Sequence, residues 1–196
     1  MRWRSLTFAS VLCATLAGCG TTRTPMLYQP TVAIQKTIVS AQVTVGSFVD
    51  SRGESDPTWA GAIRGGFGNS LKVLALDKPV SDVIKAAFED GLKARGASPT
   101  LTGGQPQLTG VIRKFECDQY VRREATIELE LTVLDSSGHT KFTRNYRSNN
   151  IDGSILTLST GVFASIDDLR VVMERTLRET VDKALDDSAL RAALQI

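Results

Sequence analysis

Few side chains in this 196-residue chain are typed and spaced for chemistry. Glu128 and Glu130 fall on one face of an alternating segment, about 6.5–7 Å apart if it is a strand. That spacing could seat a glycosidase-type carboxylate pair. Thr126 and Thr132 share the face, and Lys114 is a cross-strand candidate, so a solvated, ion-paired surface explains the pair better. The single His139 sits beside Gly138 in a turn, where a side chain is solvated, so it is a poor triad base. With one His and no second suitable thiol, a tetrahedral zinc centre has no ligand set, and no metal or dissociable cofactor is expected. The run Gly61 to Gly68 lacks the Lys-Ser/Thr pair of a phosphate loop and the spacing of a dinucleotide fingerprint. Two arginines are less ordinary. If hairpins turn at Tyr120-Val121 and at Ser136-Ser137, Arg113 and Arg144 both face Leu129. They then share the inner sheet face with Val111, Phe115, Cys117, Phe142 and Tyr146. Buried guanidinium groups need partners. Acids such as Asp50, Glu89, Asp90 or Glu174 are the structural solution. An anion notch for a lipid headgroup or a glycan carboxylate is the functional one.

The amino terminus carries a sharper chemistry. Met1-Arg2-Trp3-Arg4 is a short positive head, and Leu6 to Leu16 is an apolar run too short to span a bilayer. Leu16-Ala17-Gly18-Cys19 follows, and this resembles the lipobox of bacterial lipoproteins. The resemblance implies cleavage between Gly18 and Cys19, a diacylglycerol thioether on the Cys19 sulfur and an acyl chain on the new amino terminus. These covalent lipids are the only non-protein groups expected. Each buried methylene contributes about 0.8 kcal/mol, so several chains hold a protein at a membrane. Gly20 stands where inner-membrane-retained lipoproteins resemble Cys-Asp. By that analogy the destination is the inner leaflet of the outer membrane, with the protein facing the periplasm.

Charge agrees with lipid as the anchor. Loss of residues 1–18 removes Arg2 and Arg4, leaving 21 basic against 21 acidic residues. A near-neutral chain has no electrostatic basis for nucleic-acid binding. In an oxidising compartment Cys117 would be the lone free thiol, and it is expected to be buried.

The rest of the chain must position these groups. Residues 1–18 read as the leader, 19–40 as a lipidated tether rich in Thr, Gln and Pro, and 41–196 as one periplasmic domain. Strands are predicted at 42–50, 70–76, 107–119, 124–134 and 140–148, with 51–68 as loop and 151–164 ambiguous. Pro79 opens a helix whose face is Val80, Val83, Ile84, Ala87, Phe88 and Leu92, stopped by Arg95-Gly96. Ser165 caps a second, long helix, and Ser188 to Leu194 forms a short third. Clustered strands with two amphipathic helices predict an α+β fold: an antiparallel meander sheet with both helices packed on one face.

Together, the lipobox, tether, Phe48-Val49-Asp50-Ser51-Arg52, the Gly-bearing loop, Leu92-Lys93-Ala94-Arg95-Gly96 and Leu108-Thr109-Gly110 resemble the YajG-like family of Gram-negative outer-membrane lipoproteins. A weaker resemblance is to auxiliary lipoproteins of ABC-type envelope transport. The first resemblance brings no catalytic residues and implies a non-enzymatic, membrane-tethered binding or scaffolding module. Asp50, Arg52, Trp59 and Phe67 are its candidate contacts with an envelope protein or lipid. The second implies a lipid-transport subunit docking through 151–164. A cell-wall hydrolase using Glu128 or Asp50 is the alternative of another class.

Overall fold

The computed structural model describes residues 20–31, 41–100, 104–153 and 164–196. Its strands are β1 (Gly20–Thr24), β2 (Gln42–Asp50), β3 (Trp59–Arg64), β4 (Ser70–Leu76), β5 (Ser98–Thr100), β6 (Gln107–Gln119), β7 (Arg123–Leu134) and β8 (Thr140–Asp152). Three helices accompany them: α1 (Val80–Ala94), α2 (Ile166–Leu185) and α3 (Ser188–Leu194). The α+β class holds, and β6–β7–β8 is the expected antiparallel meander. The sheet as a whole is mixed, because β1 pairs β4, and both β2 and β3 pair β6, in parallel.

β7 shows why the meander forms. Ala125, Ile127, Leu129, Leu131 and Val133 are fully buried under the helices, while Glu124, Glu128 and Glu130 look outward. α2 lays Leu169, Val172, Met173 and Leu177 on that face. α1 follows Pro79, whose fixed φ of −53° suits a helix entry, and Phe88 stacks on Phe48 of β2 with ring centroids 5.4 Å apart. Cys117 is buried as expected. Its Sγ donates to the Leu169 carbonyl at 3.5 Å, and burial pushes the thiol pKa up to about 12.

Three expectations need correction, and one strand was not anticipated. Residues 20–31, read as tether, are docked on the domain: β1 pairs β4 over five residue pairs, from Gly20↔Lys72 to Thr24↔Leu76. Met26 is buried, Tyr28 Oη donates to Asp182 at 2.7 Å, and the Thr31 N–H donates to the same carboxylate at 3.1 Å. The remainder of the expected tether, 32–40, lies outside the described residues. Inside the expected 51–68 loop stands β3, which continues along the edge of β6 that β2 has left. There Gly61 crosses β6 so closely that a Cβ would lie 1.9 Å from the Cys117 oxygen, which is why a glycine at φ +155° occupies it. β8 runs on to Asp152 instead of ending at 148. Lastly, β5 is a short strand that the sequence pattern does not announce.

Candidate interaction surface

The two arginines proposed as a notch do not converge. The first hairpin has the expected register near its turn, with Gln119↔Arg123 and Phe115↔Ile127, but a bulge at Arg113 shifts it to Ile112↔Leu129. The bulge puts Ile112 in the core and both Arg113 and Lys114 outside, so the Arg113 guanidinium is not buried. Arg113 pairs with Glu130 at 2.9 Å on the outer face. In the second hairpin Tyr146, not Arg144, opposes Leu129, and Arg144 opposes Leu131. This two-residue shift keeps Arg144 on the helix side but at its rim, where it meets Asp187 at 2.5 Å, the residue that caps α3.

Asp50, Arg52 and Trp59 do come together. Arg52 lies between the end of β2 and the start of β3, with only 4% of its side chain exposed. Its Nε and NH2 donate to the two Asp50 carboxylate oxygens at 2.9 and 2.7 Å. Its NH1 donates to the Trp59 and Phe115 carbonyls at 2.7 and 3.1 Å. The Phe115 carbonyl lies in the stretch of β6 between its pairings with β2 and β3, so Arg52 acts as a side-chain staple across the gap. Hydrogen bonds from Arg52 outweigh partial burial and hold the Asp50 carboxyl below its ordinary pKa. A cleft of about 90 Å³ lies between Arg52, Trp59, Arg113 and Phe115. Phe67 is elsewhere, fully exposed in the turn at the far end of β3.

The larger concavity is on the outer sheet face. It holds about 430 Å³ between Lys114, Glu116, Asp118, Arg122, Glu124 and Arg147, with Tyr120 and Val121 at one margin. Asp118 accepts the Ala62 N–H at 3.0 Å and both Nε and NH2 of Arg64 at 3.0 and 2.9 Å. Glu128 meets Arg147 at 3.5 Å, and Lys114 meets Glu116 at 2.6 Å. Glu128 and Glu130 are thus each matched with a guanidinium, as the solvated-face reading expects. His139 is exposed beside its turn. Among the described residues, no three His, Cys, Asp or Glu side chains cluster to hold a metal ion. Sequence reasoning assigned no role to Arg64, Tyr120 or Val121, because none belongs to a catalytic pattern, and it met Ile151 only as the start of the 151–164 docking stretch. The signal of Tyr120 and Val121 is positional: a hairpin end that is apolar where turns are usually polar. Gly18 and Cys19 lie outside the described residues, as does 154–163 of the proposed docking stretch.

A family model described as an uncharacterized lipoprotein matches residues 29–195. The chain belongs to that lipoprotein family. Among the described residues no helix is long and apolar enough to cross a membrane. The lipoprotein resembles protein XCC0632 from Xanthomonas campestris, with a TM-score of 0.63 at 16% identity, covering 89% of this chain and 98% of that one. A second crystal structure, of an uncharacterized protein, has a TM-score of 0.51 at 11% identity, over 83% of this chain and 95% of its own. At such identities the likeness is one of fold. Comparison with curated proteins yields no match.

Proposed function

We propose that this lipoprotein is a lipid-anchored, non-catalytic binding or scaffolding module of the cell envelope. Acyl chains on Cys19 hold it at the inner leaflet of the outer membrane, and the folded body faces the periplasm. The observation that carries the reading is continuity: Gly20, the residue after the lipobox Cys, is already the first residue of a sheet strand. The resemblance to YajG-like lipoproteins supports the same assignment. The outer-face groove offers mixed charge to a polar envelope partner. The hydrolase alternative loses support from geometry. Asp50 is clamped by Arg52, whose hydrogen bonds hold its carboxyl below the ordinary range and away from general-acid duty, and Glu128 is engaged by Arg147 at 3.5 Å on the solvated face.

Metabolic labelling with an alkyne palmitate analogue in a Gram-negative host, followed by membrane fractionation, tests the proposal. The wild-type chain is expected to carry label and to sediment with outer membranes, and Cys19→Ser to lose both. An unlabelled wild type, or label that survives Cys19→Ser, overturns the anchor. Peptidoglycan cleavage by the purified protein that Glu128→Gln abolishes overturns the non-catalytic assignment.

A further inference from the structure

The direction of each strand fixes which end of the sheet the anchor reaches. β1 runs parallel to β4, β4 antiparallel to β3, β3 parallel to β6, and β6, β7 and β8 alternate. Gly20 therefore shares one end with the β3–β4 turn, the β6–β7 turn and the last residues of β8. Six strand ends at about 4.8 Å spacing make a rim about 24 Å long. On that rim Phe67 is 102% exposed, Tyr120 53%, Val121 52% and Ile151 48%. These are four of the seven large apolar side chains exposed among the described residues, gathered at the end the anchor reaches. Cations accompany them. The Arg64 guanidinium lies 5.8 Å over the Tyr120 ring. Arg122 is exposed and has no ion pair among the described residues. At the other end of β7 and β8 the turn is Asp135-Ser136-Ser137-Gly138-His139, wholly polar.

We propose that this rim is a membrane-seating surface. Phe67, Tyr120, Val121 and Ile151 enter the interfacial layer of the leaflet that holds the Cys19 acyl chains, and Arg122 lies at its phosphates. This rests on the lipid anchor proposed above. Consecutive Cα atoms are about 3.8 Å apart, so an acylated Cys19 holds Gly20 at headgroup depth. A strand paired to β4 from its first residue has no slack with which to lift the body away. Apolar side chains on an interfacial surface reach about 5–10 Å into the headgroup and acyl boundary, and tyrosine favours that zone. The protein therefore stands on its leaflet in one orientation, with the margin of the outer-face groove at the lipid surface.

The test uses the acylated mature protein, beginning at Cys19, in vesicles of phosphatidylethanolamine and phosphatidylglycerol, with or without brominated acyl chains. Tryptophan is placed at the rim by Phe67→Trp and at the opposite end by Ser137→Trp, both exposed sites, over the Trp59 signal common to both. The added Phe67→Trp emission is expected to fall by roughly half in brominated vesicles, a depth that a seated rim reaches. Ser137→Trp is expected to show no quenching beyond the common signal. Equal quenching of the two variants, or none at residue 67, on protein whose mass confirms acylation overturns the seating and leaves the anchor standing. A bare Cys19 in the same mass measurement overturns both.

Discussion

Asp182→Asn removes a charge that three donors converge on. The carboxylate, in a residue 8% exposed, accepts from Tyr28 Oη at 2.7 Å, the Thr31 N–H at 3.1 Å and Arg95 NH2 at 3.1 Å. Gly91 makes room for this cluster, since a Cβ there would lie 2.9 Å from Tyr28 Oη and 2.5 Å from Leu185 Cδ1. A hydrogen bond to a charged group contributes about 1.5–3 kcal/mol. Asparagine keeps an acceptor for one donor, and Arg95 retains Asp186 at 2.7 Å. The net loss should be about 2 kcal/mol, or about 1 M in the urea midpoint with an unchanged slope. Hydrogen exchange should speed up in residues 20–31 and leave β6 and β7 protected, because Asp182 ties the amino-terminal segment to α2. The pH dependence has a definite sign. Burial pushes the Asp182 carboxyl up, but hydrogen bonds from Tyr28, Thr31 and Arg95 outweigh it, and its folded pKa lies below the usual range. Its contribution is therefore present above the unfolded value of about 3.9 and is lost as pH falls through the folded one. The gap between wild type and Asp182→Asn should narrow in acid. Equal midpoints at neutral pH, or a gap that widens as pH falls, would refute the reasoning.

Three further outcomes follow from the fold. Arg52→Met leaves Asp50 without its cation and two carbonyls without a donor; it should cost about 2–3 kcal/mol by urea unfolding, given that Asp50 is partly solvated. Gly61→Ala should lower stability by about 2–3 kcal/mol in a thermal melt, because the new Cβ meets the Cys117 backbone, whereas Gly66→Ala has open space and should leave Tm unchanged. Cys117 should resist iodoacetamide at pH 8 in the native protein and react once unfolded, since burial pushes its pKa up to about 12.

Elements with an apolar period were legible in the sequence. α1, α2 and β7 each bury one face and wet the other, so spacing alone reveals them. β3 was not legible, because Ala60, Gly61, Ala62 and Ile63 are buried in succession and a strand without a wet face has no alternation. β1, Gly-Thr-Thr-Arg-Thr, is largely exposed and takes its place from β4 backbone pairing, which leaves no trace in side-chain type. The Arg113 bulge has a signal in the sequence. A guanidinium on the apolar parity of a strand conflicts with burial, and the chain relieves the conflict by inserting a residue. The apolar rim emerges only when strand directions bring three separated stretches to the end that Gly20 occupies.

Intact-mass measurement of the protein extracted from the membranes of its own cell bears most directly on the lipid-anchored assignment. The expected species begins at Cys19 and carries the added mass of a diacylglycerol and an amide-linked acyl chain. A chain that begins at Cys19 with no added lipid, or that retains residues 1–18, would contradict it.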